Sequence, residues 1–194
     1  VRMLVVTGLG QSDALDTEKV HLAAASAAKA CQALKAKAIA CEVPLDEHAQ
    51  AFVEGTLLGF YGFDKYRSSK DAKTHMPASV SFCAENLGPA RKAAARAEIV
   101  TEAVSTARDL VNEPAAAINP ASYVKEIRSL ARGTGLKVKV FEQRELKQMK
   151  MGALLAVGVG SDITPRVVQM VHKPKGRVRR RVALVGKGVT FDAG

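Results

Sequence analysis

The sequence predicts an α/β fold in two parts, an N-terminal α/β domain with a mixed or parallel sheet joined by a long helix to a second α/β unit. Three observations predict it. Strand-like and helix-like patterns alternate through the first 84 residues, the order expected of crossover connections in a sheet. One long helical pattern, Pro89 to Val111, divides the chain. A run of β-formers, Val182 to Val185, then opens onto glycines at Gly186 and Gly188, as a buried parallel strand does when it delivers residues beyond its carboxyl end.

The elements follow in order. Met3 to Thr7 reads as a strand, Thr17 to Lys37 as an alanine-rich helix, and Ala38 to Val43 as a short strand. Glu47 to Phe60 reads as a second helix, the polar stretch Asp64 to Pro77 as a loop, and Val80 to Ala84 as a strand. In the long helix Pro89 suits the first turn, and Ala97, Val100, Val104, Ala107 and Val111 fall on one face. Pro114 cannot continue that helix comfortably. Asn119 is a cap before Pro120, and Gly133 ends the helix that follows. Then come strand Lys137 to Phe141, helix Gln143 to Lys150, strand Leu154 to Gly158, and two strands, Arg166 to Val171 and Val182 to Val185. The implied division is 1–88 for the first domain, 89–112 for the interdomain helix and 113–194 for the start of the second domain.

Composition fits a globular protein: 47% hydrophobic and 25% charged residues, with mean hydropathy near zero. No stretch approaches the roughly 20 apolar residues of a membrane span. The N-terminal apolar run is too short for a signal peptide, and the absence of an initial methionine hints at truncation or processing. Cys31, Cys41 and Cys83 match no zinc or redox spacing and read as buried thiols in a reducing, cytoplasmic compartment.

The net charge of +10 is uneven, because 16 basic and 5 acidic residues lie from Lys125 onward. The densest run, Lys173 to Arg181, reads as a solvated hairpin loop turned by Pro174 and Gly176. A basic half also admits nucleic acid or an acidic membrane surface, but no aromatic residue interleaves the run to stack on bases. Several chemistries are excluded. Gly186-Lys187 lacks the first glycine and the Ser/Thr of a phosphate loop, and neither Gly8-Leu9-Gly10 nor Gly158-Val159-Gly160 has the third glycine of a dinucleotide fingerprint. His21, His48, His75 and His172 are scattered, with no His-Glu-x-x-His pair, and there is no Gly-x-Ser-x-Gly elbow.

What remains is Lys187 and Asp192. Five residues apart, they diverge on a regular strand and on a helix alike. They converge only if the backbone leaves regular geometry, which Gly186 and Gly188 permit through positive φ or close backbone approach. A lysine and an aspartate so aimed form an ion pair, or ligate one metal if the amine is neutral, a form that burial and a nearby cation favour. A solvated loop lysine and a helix-capping aspartate are the plain alternative.

The segment Val185-Gly186-Lys187-Gly188-Val189-Thr190-Phe191-Asp192-Ala193-Gly194 resembles the first metal-ligand motif of the leucyl (cytosol) aminopeptidase family. Three upstream blocks resemble that family in order. They are Glu54-Gly55 with Leu57-Leu58-Gly59 and Tyr61-Gly62-Phe63-Asp64-Lys65-Tyr66; then Ala107 to Pro114 with Asn119-Pro120; then Met151 to Ser161 with Pro165-Arg166. The resemblance covers residues 50 to 194, departing at Val159, where the family commonly has glutamine, and at Ala193, where it has a small hydroxyl residue. It implies that 113–194 begins a metallopeptidase catalytic domain. It also implies that Lys187 ligates one of two divalent metals (zinc or manganese, with magnesium a third candidate) and that Asp192 bridges both. The other carboxylate ligands, the catalytic lysine and the arginine that holds a bicarbonate come later in family members. No catalytic residue is therefore expected within this chain, and the chain alone is expected to be inactive. The resemblance further implies peptide substrates and a homohexamer. A non-catalytic nucleic-acid-binding or scaffolding role on the same fold is the alternative.

Overall fold

A computed structural model describes residues 3–69 and 73–190. The chain divides into two compact units, Val1–Asn112 and Glu113–Gly194. In the first, helix α1 (Thr17–Ala33) starts where the Asp16 carboxylate accepts the Lys19 amide at 2.8 Å, a bond that holds its carboxyl below the usual carboxylate range. The helix stops four residues short of the predicted Lys37. Lys35 adopts φ 52°, and the amides of Lys35 and Ala36 bond back to the Gln32 and Cys31 carbonyls, closing a Schellman motif. Strand β1 (Ala38–Glu42), helix α2 (Ala49–Gly59), strand β2 (Ser79–Cys83) and helix α3 (Leu87–Asn112) follow.

Strands β1 and β2 pair in parallel, Ala38 opposite Ser79 through Glu42 opposite Cys83. Ile39, Cys41, Val80 and Phe82 turn to the half-buried face while their neighbours are exposed. That face meets a core of Val20, Ala24, Val43, Ala49 and Phe52, in which the Phe52 and Phe82 rings stand edge to face at 6.3 Å. Burial pushes the Cys41 thiol up to about 11, but Cys83, predicted to be buried, is exposed because it lies on the other face of its strand. Two further expectations fail in this unit. Met3 to Thr7 is not a strand, and Leu4 is 80% exposed; among the described residues no strand pairs with it, and β-propensity alone does not hold a strand. On α3 the buried face is Ala97 and Thr101, with Val100 and Val104 half-buried, while Ala107 and Val111 are exposed.

Helices α1 and α2 meet through small residues. A Cβ on Gly55 would overlap the His21 carbonyl, and one on Gly59 would stand 2.8 Å from the Ala25 carbonyl oxygen. Alanines 24 and 28 lie buried on the facing helix. The Thr56 hydroxyl, buried at the same contact, donates to the Phe52 carbonyl at 2.8 Å and so leaves no orphan group.

In the second unit, helix α4 (Pro120–Ala131) is capped by Asn119, whose Oδ1 accepts the Ala121 and Ser122 amides at 2.9 and 3.0 Å. It buries Val124, Ile127 and Ala131 along one stripe. Strands β3 (Lys137–Phe141) and β4 (Val167–Val171) pair antiparallel, Lys137 opposite Val171. Between them lie α5 (Gln143–Gln148), which buries Leu146 completely, and α6 (Gly152–Val157). The strand predicted over Leu154 to Gly158 is therefore helical. A short apolar run reads either way, and Ala153-Leu154-Leu155-Ala156 are strong helix formers. The strand predicted over Val182 to Val185 is absent too: the segment is irregular and Leu184 is 95% exposed.

The α1–α2 contact sets the clearest stability prediction. Gly55→Ala gains up to ~1 kcal/mol of helix propensity but loses about 1–3 kcal/mol to overpacking against a backbone that cannot swing aside. Thermal unfolding should therefore show a lower Tm for the variant; an unchanged or raised Tm would contradict the close approach.

Candidate metal centre

Of the two predicted metal ligands, Lys187 is described and Asp192 lies outside the described residues. Lys187 sits on an exposed, irregular segment that runs on from the basic stretch 173–181, itself exposed throughout. Of the two routes foreseen for the glycines beside it, close approach is seen at Gly188 alone. Neither Gly186 nor Gly188 has positive φ, but a Cβ on Gly188 would stand 3.3 Å from Tyr123 Cε1. The backbone at 188 therefore passes close over the α4 tyrosine ring, and any side chain there would force one or the other to move. Thr190, two residues on, is half-buried. Gly186 faces open space, so its lack of a side chain has no packing cause among the described residues.

Nearby geometry is more settled. Glu142 caps α5 and also accepts the Arg166 Nε at 2.9 Å, tying the start of α5 to the residue before β4. Gly158 lies under Pro165, where a Cβ would be 2.6 Å from the ring Cδ. The Gly158–Pro165 contact joins the parts of one sequence block, 151–161 with Pro165-Arg166, and the Glu142–Arg166 pair ties that block to α5. The ion pair is partly exposed and is worth at most ~1 kcal/mol.

A second constellation escaped the sequence reading. In the first unit the Tyr61 hydroxyl donates to Asp109 at 2.8 Å and accepts from Asn112 Nδ2 at 3.0 Å. The Arg108 guanidinium lies 5.3 Å from the centre of the Tyr61 ring. Burial and the Asp109 bond raise the tyrosine above its ordinary value. The two sequence blocks 54–66 and 107–114 thus meet here, which fixes the end of α2 on α3. The signal was present as two separate motifs, but nothing in one sequence pairs residues 48 apart.

Among the described residues no group of three or more His, Cys, Asp or Glu is placed to hold a metal ion. A zinc site takes three or four protein ligands. One described amine donor therefore fits a single ligand position and not a complete centre.

Comparison with known proteins gives the arrangement its context. The catalytic-domain model of the cytosol aminopeptidase family matches residues 105–194, and the N-terminal-domain model of that family matches residues 1–70. The probable cytosol aminopeptidase of Synechococcus sp. (strain CC9605) is 38% identical over 98% of this chain and 40% of its own length. That of Aquifex aeolicus (strain VF5) is 34% identical over the whole chain, again 40% of its own length. A tomato leucine aminopeptidase mutant superposes with a TM-score of 0.85 at 29% identity, over 96% of this chain and 39% of that one. The bottromycin maturation enzyme BotP in complex with Mn gives 0.75 at 32% identity, over 87% of this chain and 36% of that one. The two parts of this α/β chain match the N-terminal-domain and catalytic-domain models of one peptidase family, in that order. The chain belongs to the cytosol aminopeptidase family, and it spans about 40% of the length of the curated relatives it matches. Among the described residues no helix is long and apolar enough to cross a membrane.

The exposure of the segment before Lys187 carries a direct test. Leu184→Lys in this 194-residue chain should change unfolding free energy by no more than about 0.5 kcal/mol, as surface substitutions do. A loss of several kcal/mol in urea unfolding would mean that the segment is buried after all.

Proposed function

We propose that the protein carrying this sequence is a two-metal aminopeptidase that releases N-terminal amino acids, of leucine type, from peptides. The observation that carries the reading is the catalytic-domain match across 105–194, which spans Lys187, Asp192 and the glycines on either side of Lys187. Two divalent ions held together supply a Lewis acid for the scissile carbonyl and an activated water.

In this reading Lys187 holds one ion and Asp192 lies between both, with zinc or manganese the expected metal. That BotP is in complex with Mn supports a divalent ion at such a centre. The absence of a side chain at Gly188, where a Cβ would stand 3.3 Å from Tyr123 Cε1, supports a backbone shaped by glycine beside Lys187. Residues 1–88 serve as the N-terminal domain, 89–112 as the interdomain helix and 113–194 as the start of the catalytic domain. The remaining carboxylates, the catalytic lysine and the bicarbonate-binding arginine that the family resemblance implies have no counterpart in residues 1–194. The chain by itself therefore binds metal poorly and is inactive. A homohexamer and a cytoplasmic location belong to the same reading, as do peptide substrates.

The experiment is hydrolysis of leucine p-nitroanilide with manganese present, by the 194-residue chain and by a protein in which this sequence is continued to the length of its relatives. The short chain should show no turnover. In the longer protein Asp192→Ala should abolish turnover while the circular dichroism spectrum stays native. Lys187→Ala should lower metal stoichiometry toward one ion per chain. Near-normal activity of the Asp192→Ala protein would overturn the assignment.

A further inference from the structure

We propose that the basic run Lys173 to Arg181 binds the phosphate backbone of double-stranded nucleic acid without reading its sequence. Six of these residues are cations: Lys173, Lys175, Arg177, Arg179, Arg180 and Arg181. The sequence holds no aspartate or glutamate from 163 to 191, so the run has no acid within ten residues on either side. All six cations are exposed, and among the described residues none of them makes an ion pair or a hydrogen bond. Like charges gathered in this way repel one another, and a polyanion laid along them relieves that repulsion.

The fold enlarges the patch at its root. Strand β4 ends at Val171, opposite Lys137 of β3, so the chain leaves the sheet beside the exposed Lys137 and Lys139. These two lysines share one face of β3, and the Lys139 amine stands 4.4 Å from the centre of the Phe141 ring, a contact that leaves its charge in place. Glu142, the acid nearest to β3 in sequence, follows the other end of that strand and is paired with Arg166 at 2.9 Å. The sheet's paired acid therefore lies at the end away from the run.

Composition selects the partner. A duplex carries one negative charge per about 1.7 Å of its axis, a continuous row for a continuous run of cations. Four of the six cations are arginines, whose planar forks take two phosphate oxygens at once. Arg177, Arg179 and Arg181 recur at every second residue, and in an extended backbone such residues share a side at a spacing of about 6.6 Å. The run holds no helix or strand to enter a groove and no aromatic side chain to stack on unpaired bases, which leaves contact with the backbone of a duplex. The exposed apolar residues that follow it, Val182, Leu184 and Val185, make an acidic membrane the competing arm of the test.

The proposal needs neither Lys187 nor a metal, and its readout needs no turnover, so its failure and that of the peptidase reading are told apart. Fluorescence anisotropy of a labelled, mixed-sequence DNA duplex is measured with the 194-residue chain and with the protein continued to the length of its relatives. Both should bind, and affinity should fall about a thousandfold between about 50 and about 200 mM sodium chloride. The triple variant Arg177→Ala, Arg179→Ala, Arg181→Ala should weaken binding at least tenfold at low salt and make the logarithmic salt slope shallower by about three. The triple variant Arg91→Ala, Lys92→Ala, Arg96→Ala removes the same charge from exposed positions on α3 and should leave the slope unchanged. A flat salt response, equal losses in the two triple variants, or no binding by the longer protein would overturn the proposal. So would binding to phosphatidylserine vesicles without binding to the duplex, which would assign the run to a membrane surface.

Discussion

A strand buried in the middle of a sheet needs neighbours on both edges and cover on both faces. Val182-Ala183-Leu184-Val185 has the composition of such a strand and, among the described residues, none of that company. Unpaired backbone groups must bond to water, and β-branched residues lose the packing that makes them good strand formers. The segment is therefore exposed, and Lys187, which depends on it for position, is exposed with it. Among the described residues the candidate metal centre lacks both a paired strand to position Lys187 and further ligands beside it. The chain spans about 40% of the length of the curated relatives it matches.

The first unit shows the opposite case, because its contacts close on themselves. Small residues let α1 and α2 approach until backbone meets backbone, and a two-stranded parallel sheet rests on the resulting core through Phe52 and Phe82. Polar side chains then finish what apolar packing starts. Gln32 and His75 tie residues 60 and 75 to the end of α1, and Tyr61 with Asp109 and Asn112 holds the end of α2. A protein interior tolerates few voids, so glycine and alanine at such contacts mark geometry and not merely composition.

Much of this was legible from residue patterns. Asn119-Pro120 predicted the start of α4 and the structure adds the full capping box; Pro114 and the three-four spacing predicted the long helix. The failures have definite causes. Met3 to Thr7 and Val182 to Val185 carry strand composition, but strand formation depends on partners that composition cannot supply. Leu154 to Gly158 is a short apolar run in which helix propensity prevailed. At the candidate site the sequence pointed to Lys187 and to a glycine-dependent bend, and the structure gives Gly188 a reason in Tyr123. The Tyr61–Asp109 and Gln32–His75 contacts join residues distant in sequence, and no local pattern encodes them.

The account's central claim is that the Lys187 amine and the Asp192 carboxylate turn toward one another around a pair of divalent ions. An anomalous difference map from manganese-soaked crystals of a protein carrying this sequence at the length of its relatives tests it directly. The account predicts two adjacent peaks, with the Lys187 Nζ on one ion and Asp192 oxygens on both, at about 2.0–2.3 Å. A map in which both side chains point into solvent, with no peak between them, would contradict it.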